Sequence, residues 1–410
     1  MNLLKKTVTI IILFSVLVSS VFAATAFTPK TDVAYAPVAN PYSKTSARVL
    51  SMGGAGIALR SNQDALYINP ASLGEKGLVW NIPNVALTIY NTKKMVGTGI
   101  IDNYKQAKDN IGTYTSAILD ILNGAGYNNL ATIDAGVGAK LGRFAFALDT
   151  QVNMHTFTPD IGAGLDAVLI PQVDAILSTG LGLRFFRNSP VNFDFGVAAR
   201  FNVRGYFEKT GAKDVLDNIN DLSKLTQDLQ EAKPLMFAYA IPVDLGFNLN
   251  LPVGFTFSAV ARNLNGNFHA QVMDSLNYAK DNLKNITKGE IIIESPWSLD
   301  LGFGWKPKYG LSWLANPNIA IDLVDVIGLC KDFSGSNLLG HIKAGIEFEL
   351  FTLLELRAGL NQGYVSIGAG VNLMNLIHLE ASYYRLEFGE KLLDKPVDAL
   401  TVRMNLFWER

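Results

Sequence analysis

The feature that most constrains this chain is a repeated alternation of apolar and polar residues with a period of two. Its clearest instance is residues 191–204. One face of this segment carries Val191, Phe193, Phe195, Val197, Phe201 and Val203, and the other carries Asn192, Asp194, Arg200, Asn202 and Arg204. Residues 143–151, 243–250 and 400–406 repeat the pattern. Because side chains alternate between the two faces of a β-strand, these segments are predicted to be strands.

Soluble sandwiches also alternate, so three further features decide between a sandwich and a membrane barrel. Many of the segments have about ten residues, which suits a tilted membrane crossing. Their apolar face is bulky and aromatic, while the opposite face carries charge or glycine. The chain also begins with an export signal. Together these features favour a transmembrane β-barrel.

The composition agrees with that class. Hydrophobic residues make up 49% of the chain and charged residues only 17%, against about 25% charged in ordinary soluble domains. No stretch after the N-terminus is long and apolar enough for a second membrane helix. The apolar excess is spread over short pieces, as in a barrel whose strands face lipid with alternate residues.

The N-terminus is typical of a secretory signal peptide. Lys5 and Lys6 precede an apolar run from Thr7 to Phe22, and small residues follow from Ala23. This arrangement predicts cleavage after Ala23. The predicted divisions are a signal peptide at 1–23, an N-terminal extension with a hatch at 24–78, and a barrel at 79–410.

Link lengths predict the topology. Short links alternate with long ones, and the long ones are 91–129, 155–172, 208–234, 265–292, 329–339 and 389–396. Short periplasmic turns and long external loops are typical of outer-membrane barrels. The predicted fourteen strands are 79–90, 130–141, 143–154, 173–187, 191–207, 235–250, 253–264, 293–306, 311–328, 340–350, 354–361, 364–373, 376–388 and 397–408. The apolar segment 161–170 is assigned to a loop, because a strand there would break the alternation of turns.

A compact motif precedes the first strand. It consists of the small-residue patch Met52–Gly56 with Gly53, Gly54 and Gly56, then Asp64–Tyr67, then Asn69-Pro70-Ala71. Pro70 forces the residue before it out of the helical region. The three pieces, in this order, resemble the hatch of FadL-like outer-membrane proteins. We call residues 46–74 the hatch segment.

The resemblance implies a fourteen-stranded barrel whose lumen is plugged by the hatch, and transport of long-chain fatty acids or other hydrophobic compounds. It further implies a gate at Asn69-Pro70-Ala71 and a side exit at a kink in the third strand, here 143–154. No glycine or proline inside 144–154 demands such a kink.

Two external loops show helical spacing. In residues 211–233 the apolar positions are Val215, Leu216, Ile219, Leu222, Leu225 and Leu229. In residues 270–284 they are Val272, Leu276, Ala279 and Leu283. By resemblance, these loops would collect an apolar ligand. The alternative is a helix lying flat on the barrel rim to cover its own apolar stripe.

The sequence offers no sign of catalysis. It has neither a Gly-x-Ser-x-Gly nor a His-Glu-x-x-His motif, and its four histidines show no metal-ligand spacing. We therefore expect no enzyme activity, no cofactor and no metal. The net charge of -1 does not suggest nucleic-acid binding. The charged residues predicted to face the lumen are expected to pair across strands: Arg200, Arg204, Glu347, Glu349, Arg357 and Arg403.

The sequence thus predicts an outer-membrane protein whose partners are membrane lipid and hydrophobic small molecules such as fatty acids; it names no protein partner. The alternative is a structural or secretion-associated barrel with a closed lumen, because the wider group that this chain resembles contains barrels such as PorV. An outer-membrane lipase is a more distant alternative.

The targeting prediction is directly testable. Mass spectrometry of the intact protein from the outer-membrane fraction should show a chain that begins at Ala24. A chain recovered in the inner membrane with Met1 attached would contradict it.

Overall fold

A computed structural model provides the structure. It describes residues 39–60, 63–75, 77–93, 129–157, 168–207, 210–211, 234–275, 277–278, 291–307, 314–351, 353–374, 376–388, 393 and 395–409.

The structure is dominated by one antiparallel sheet of eighteen strand segments. The segments are β1 (Leu78–Tyr90), β2 (Ala131–Leu141), β3 (Phe144–Phe157), β4 (Val168–Phe185), β5 (Asn192–Phe207), β6 (Thr210–Gly211), β7 (Leu235–Ala240), β8 (Val243–Asn250), β9 (Phe255–Leu264), β10 (Phe268–Met273), β11 (Ile291–Ile293), β12 (Ser298–Trp305), β13 (Leu314–Leu323), β14 (Ile342–Leu350), β15 (Leu354–Asn361), β16 (Tyr364–Leu373), β17 (Ile377–Glu387) and β18 (Pro396–Glu409).

The sheet closes on itself because β1 pairs with both β2 and β18. Three crossings are interrupted and consist of two segments each: β7 with β8, β9 with β10, and β11 with β12. The two-residue β6 only extends the pairing of β4. The result is a closed barrel of fourteen antiparallel strands, which confirms the predicted fold class and strand number.

The alternation read from the sequence corresponds to the two sides of the wall. In β5, Asp194, Asn202 and Arg204 are buried, whereas Phe195 and Phe201 are more than 40% exposed. Apolar residues thus cover the outer surface and polar residues point into the lumen. Lipid is the solvent that suits such an outer surface, and a closed barrel leaves no sheet edge unpaired within it. Among the described residues, no helix is both long and apolar enough to cross a membrane.

Three segments differ from the predictions. β4 begins at Val168, so the end of 161–170 is strand, paired with the upper part of β3. Residues 268–273 form β10 rather than the start of a helix, because they pair with β7 and β11. β13 ends at Leu323, and two helices follow: α1 (Val326–Lys331) and α2 (Gly335–His341). The side chains of Asp325 and Ser334 cap these helices.

The third strand does not show the irregularity that the resemblance implied. β3 pairs with β2 and β4 in continuous register. The shift lies in β1, where Ile82 and Pro83 form a bulge against both β2 and β18 between Asn81 and Asn84. Proline has no backbone N–H to donate, so it is confined to bulges or edges in a sheet.

The lipid-facing assignment of the outer surface is tested by Leu181→Arg. Leu181 is 47% exposed and lies midway along the ~10 residues of β4 nearest its short turn, the length that spans the hydrocarbon core. An arginine there should destabilise the barrel by about 2–4 kcal/mol. Denaturant unfolding in phospholipid vesicles measures the change, with Phe333→Arg on the exposed α1–α2 link as the control. Equal small effects of both substitutions would refute the assignment.

Candidate functional site

The hatch segment folds into short helical pieces joined by tight turns. These are α3 (Ala47–Ser51), α4 (Ala65–Ile68) and a 3-10 turn at Pro70–Gly74. Ser46 caps α3 through its side chain. Gly53 and Gly54 have φ values of 68° and 82°, the left-handed region that favours glycine. Asn69 is extended, and its side chain accepts a hydrogen bond from Ala71 N.

The Asn69-Pro70-Ala71 turn lies against a row of glycines on the inner wall. Gly182, Gly196 and Gly246 are register partners on β4, β5 and β8. A Cβ on Gly196 would collide with the backbone of Pro70 and Ala71, and one on Gly246 would collide with Asn69. The wall is thus free of side chains where the turn meets it, and backbone packs on backbone.

The Met52–Gly56 patch meets a second row of glycines on the other side of the lumen. Cβ atoms on Gly345 of β14 and Gly359 of β15 would collide with Met52, and one on Gly368 of β16 with Ser51. Because the glycine rows lie on separate parts of the wall, the hatch segment fills the lumen between them.

Ion pairs between charged side chains connect the hatch segment to the wall. Arg403 of β18 binds Asp64 with two bonds of 2.6 and 2.7 Å. Burial alone would raise the pKa of Asp64, but the Arg403 guanidinium holds that pKa below its usual value. Glu347 of β14 accepts two bonds from Arg48, of 2.6 and 2.8 Å.

Backbone groups of the hatch segment are also bound by the wall. The Asp322 carboxylate accepts hydrogen bonds from Gly56 N at 2.6 Å and Ile57 N at 2.9 Å. Arg262 donates to the carbonyl oxygens of Tyr67 and Ile68 at the C-terminal end of α4. These bonds satisfy polar groups that the turns and the helix end leave open.

Two cavities lie on opposite sides of the hatch segment. The outer cavity has a volume of about 330 Å³ and reaches Asn263, Pro296 and Asp325 towards the long loops. The inner cavity, of about 110 Å³, reaches Val79 and Lys140 towards the short turns.

Lys44 and Tyr67 line both cavities. Lys44 Nζ lies 2.7 Å from Asp149 Oδ1 and also binds Asp134, and the Tyr67 hydroxyl donates to Asp149. Burial and the neighbouring Asp149 charge raise the pKa of Tyr67, so the phenol stays protonated and able to donate. We call Lys44, Tyr67, Asp134 and Asp149 the partition cluster.

The inner wall, polar around the hatch segment, is apolar towards the long loops. Seven buried residues form an apolar cluster there: Ile170, Tyr206, Met236, Ala238, Ala240, Phe268 and Ala270. Their register places them on the same, lumen-facing side of β4, β5, β7 and β10 as Arg204. Arg204 lies between the polar and the apolar parts of the inner wall. It binds Asp174, and its guanidinium lies 4.3 Å from the centre of the Phe268 ring.

The outcome for the predicted site residues is mixed. The structure places Gly53, Gly54, Gly56, Asn69, Pro70 and Ala71 inside the barrel wall, but at two places: Gly53 and Gly54 lie against β15 and β14, and the Asn69-Pro70-Ala71 turn lies against β5 and β8. The predicted ligand-collecting residues Val215, Leu216, Ile219, Leu222, Leu225 and Leu229 lie outside the described residues. The sequence reading missed the partition cluster, whose members are far apart in the chain. It also missed the β1 bulge, although Pro83 within a predicted strand signals one.

The predicted pairing of inward-facing charges is confirmed for five of the six residues named. Arg200 binds Asp244, Arg204 binds Asp174, and Arg357 binds Glu347, each on a neighbouring strand. Arg403 lies 3.8 Å from Glu380 of β17, in addition to its bonds with Asp64 of the hatch segment. Ligand atoms of Glu355, His378 and Glu380 lie within 4.8 Å of one another, a spacing that could hold a metal ion. Arg357 already binds both carboxylates, so a guanidinium supplies the positive charge there.

Comparison with known proteins gives only distant similarity. No family model matches the sequence, and no curated protein matches it. Among solved structures, the Ralstonia pickettii toluene transporter TbuX is 14% identical with a TM-score of 0.44, over 90% of this chain and 98% of that one. The Pseudomonas putida toluene transporter TodX is 10% identical with a TM-score of 0.44, over 90% and 99%.

A Pseudomonas aeruginosa FadL homologue is 10% identical with a TM-score of 0.42, over 90% of this chain and 99% of that one. At this degree of similarity, the function has to be inferred from the residues of the chain itself.

The glycine row under the Asn69-Pro70-Ala71 turn gives a matched test. Gly196→Ala should destabilise the protein by about 1–3 kcal/mol, because the added methyl overpacks the contact with Pro70. Gly205→Ala on the same strand is the control, since its Cβ would meet only Phe237, at 3.7 Å. Denaturant unfolding in vesicles and protease cleavage of the hatch segment measure the effect. Equal stability and equal cleavage of the two variants would show that the turn is not seated there.

Proposed function

We propose that this protein gives small hydrophobic compounds a path across the outer membrane, with the hatch segment as its gate. The observation that carries the proposal is the apolar cluster on the lumen wall, from Ile170 to Ala270, at the end that bears the long loops. A channel for water-soluble solutes has a polar lumen. An apolar lining instead offers an apolar molecule a favourable surface at the point where it would enter.

The proposed path then meets the outer cavity, which is lined with charge. Its cationic residues are Lys44, Arg200, Arg262 and Lys343. Lys44 pairs with Asp134 and Asp149, Arg200 pairs with Asp244, and Arg262 pairs with Asp300. Among the described residues, Lys343 forms no ion pair within 4.0 Å, and the Asp300 and Asp322 carboxylates act on its charge only at longer range. An amphiphile with an anionic head, such as a long-chain fatty acid, would place its carboxylate there and its chain against the apolar cluster.

The partition cluster is the proposed moving part of the gate. Lys44 and Tyr67 separate the outer cavity from the inner one, and both are held by side-chain bonds to Asp149. A gate requires two states only a few kcal/mol apart, and a few hydrogen bonds supply a difference of that size. The Asn69-Pro70-Ala71 turn, seated on the glycines of the wall, would be the fixed side of the gate.

The proposed exit is at the β1 bulge. Asn81 and Asn84, which flank the bulge, line the inner cavity together with Gly136 and Gly138 of β2. The glycines make the wall thin there, and Pro83 interrupts its hydrogen bonding. A ligand in the inner cavity would therefore leave sideways, between β1 and β2, into the membrane.

The alternative, a structural or secretion-associated barrel with a closed lumen, also has an observation in its favour. The hatch segment is held by the Asp64–Arg403 and Arg48–Glu347 ion pairs and by two glycine rows. A permanent plug would need the same attachment. The two functions differ in whether the partition cluster ever opens.

Tyr67→Phe tests the proposal with a closely matched control. The substitution removes the hydroxyl that donates to Asp149. A hydrogen bond to a charged acceptor contributes about 1.5–3 kcal/mol, so its loss should raise the open fraction by about tenfold or more. Tyr42→Phe is the control: the Tyr42 ring lies 6.0 Å from that of Tyr67, and its buried hydroxyl has no hydrogen-bond partner among the described residues.

The measurement is the initial uptake of radiolabelled oleate and, separately, of toluene by cells that carry each variant at equal surface levels. We expect uptake above empty cells for the intact protein, faster uptake for Tyr67→Phe, and no change for Tyr42→Phe. Oleate uptake that falls in Lys343→Met while toluene uptake persists would identify an anionic amphiphile as the substrate class. Absence of uptake for both probes would refute transport and favour the closed barrel.

A further inference from the structure

The short turns carry unusual residues at positions where the backbone φ angle is positive. Among the residues that the structure describes, ten that are not glycine have positive φ. Towards the long loops they are Asn91, Asn263, Asn265, Asp325, Gln362 and Leu393. At the short turns they are Phe186, Val253, Phe351 and Met374. Left-handed backbone is tolerated by asparagine and aspartate and is disfavoured for bulky or β-branched side chains. Four of the six residues towards the long loops follow this preference, and none of the four at the short turns does.

The four short-turn residues are also well exposed. The exposed fractions are 67% for Phe186, 63% for Val253, 70% for Phe351 and 97% for Met374. Two of them occupy the same position in a tight hairpin turn, since Leu353 N bonds to Leu350 O and Leu376 N to Leu373 O. Asparagine or glycine is the usual residue at such a position. The left-handed backbone does not favour apolar side chains at these tips, and most of the surface of each side chain faces outside the protein.

Two of the tips, Phe186 and Val253, adjoin the lipid-facing surface of the barrel. The Phe186 ring lies 5.8 Å from that of Phe193, which lies 5.9 Å from that of Phe247 on the outer surface. Next to another tip, the Trp305 indole donates to the carbonyl oxygen of Val253 at 3.2 Å. Tryptophan with its polar group satisfied and its ring against apolar neighbours is typical of a membrane interface.

We propose that these four tips lie within a glycerophospholipid leaflet, at the boundary between headgroups and acyl chains. The short-turn rim would then be embedded in the membrane rather than stand clear of it in water. Lipid is favoured as the occupant because Phe186 and Val253 adjoin the lipid-facing surface, and Phe351 and Met374 are equally apolar and exposed. Arg187, exposed beside Phe186, suits the phosphate groups at that depth.

A fluorescent probe at the most exposed tip tests the proposal. Met374→Cys is made in a Cys330→Ser background, because Cys330 is an exposed free thiol, and is labelled with the polarity-sensitive dye NBD. Leu393→Cys in the same background is the control, as it replaces an apolar positive-φ residue at the opposite end that is 71% exposed. The full chain is reconstituted into phosphatidylethanolamine–phosphatidylglycerol nanodiscs, in which both faces meet the solvent.

Quenching locates each probe. We expect the probe at position 374 to be quenched by phospholipid with a nitroxide high on its acyl chain, and to be quenched by aqueous iodide at least threefold less than the probe at 393. Equal iodide quenching at both positions would place the tip in water and overturn the proposal. Protection from iodide without quenching by nitroxide lipid would also overturn it, in favour of contact with a second copy of the chain.

The same probes in isolated outer membranes exclude a protein occupant. If position 374 is open to iodide in nanodiscs but protected in native membranes, a protein partner covers the rim and the lipid proposal fails. Protection of equal size in both settings is the result expected for lipid. None of these measurements depends on transport, so the two proposals can fail independently.

Discussion

The architecture depends on one requirement: every backbone N–H and C=O group inside a bilayer must find a partner within the protein. The chain meets it by pairing its first strand with its last, which leaves no edge. A closed barrel of this size encloses more space than the inward side chains of its own wall fill. The hatch segment occupies that space, and its polar groups are bound by the wall on several sides. The cavities that remain above and below it are small.

Two kinds of contact hold the hatch segment, and they differ in what they contribute. The glycine rows allow backbone to approach backbone, so the fit depends on shape and tolerates no added methyl group. The buried ion pairs carry a desolvation penalty that offsets much of their Coulombic attraction. They contribute little net stability, but they allow only one placement, because any shift leaves a charge buried without its partner. A gate built on such contacts moves most readily at Tyr67, whose neutral hydroxyl donates to Asp149, and less readily at Lys44, whose ammonium forms buried ion pairs with Asp134 and Asp149.

The extent to which the sequence predicted the structure follows from the same physics. The strands were predictable because lipid and lumen impose opposite polarity on alternate residues, as at Phe201 and Asn202. The ends of the strands were less predictable. The apolar residues of 268–273 fit the spacing of a helix as well as that of a strand, and only pairing with β7 and β11 decides between the two. The roles of Gly196 and Gly359 could not be predicted, because they depend on which wall position the hatch segment meets. The β1 bulge could have been predicted from the sequence, because Pro83 lies within the predicted first strand.

Arg403 has a consequence for how the molecule assembles. It belongs to the last strand, yet it donates a bond of 3.0 Å to Asn84 of the first strand and binds Asp64 of the hatch segment. One side chain therefore links the closure of the barrel between the first and last strands, its seam, to the hatch segment in the lumen. With the hatch segment absent, water would surround this guanidinium, and Glu380 of β17 would remain 3.8 Å away. Seating the hatch segment replaces that water with the Asp64 carboxylate, so a barrel that loses the hatch segment also loses the group that orients the side chain joining its first and last strands.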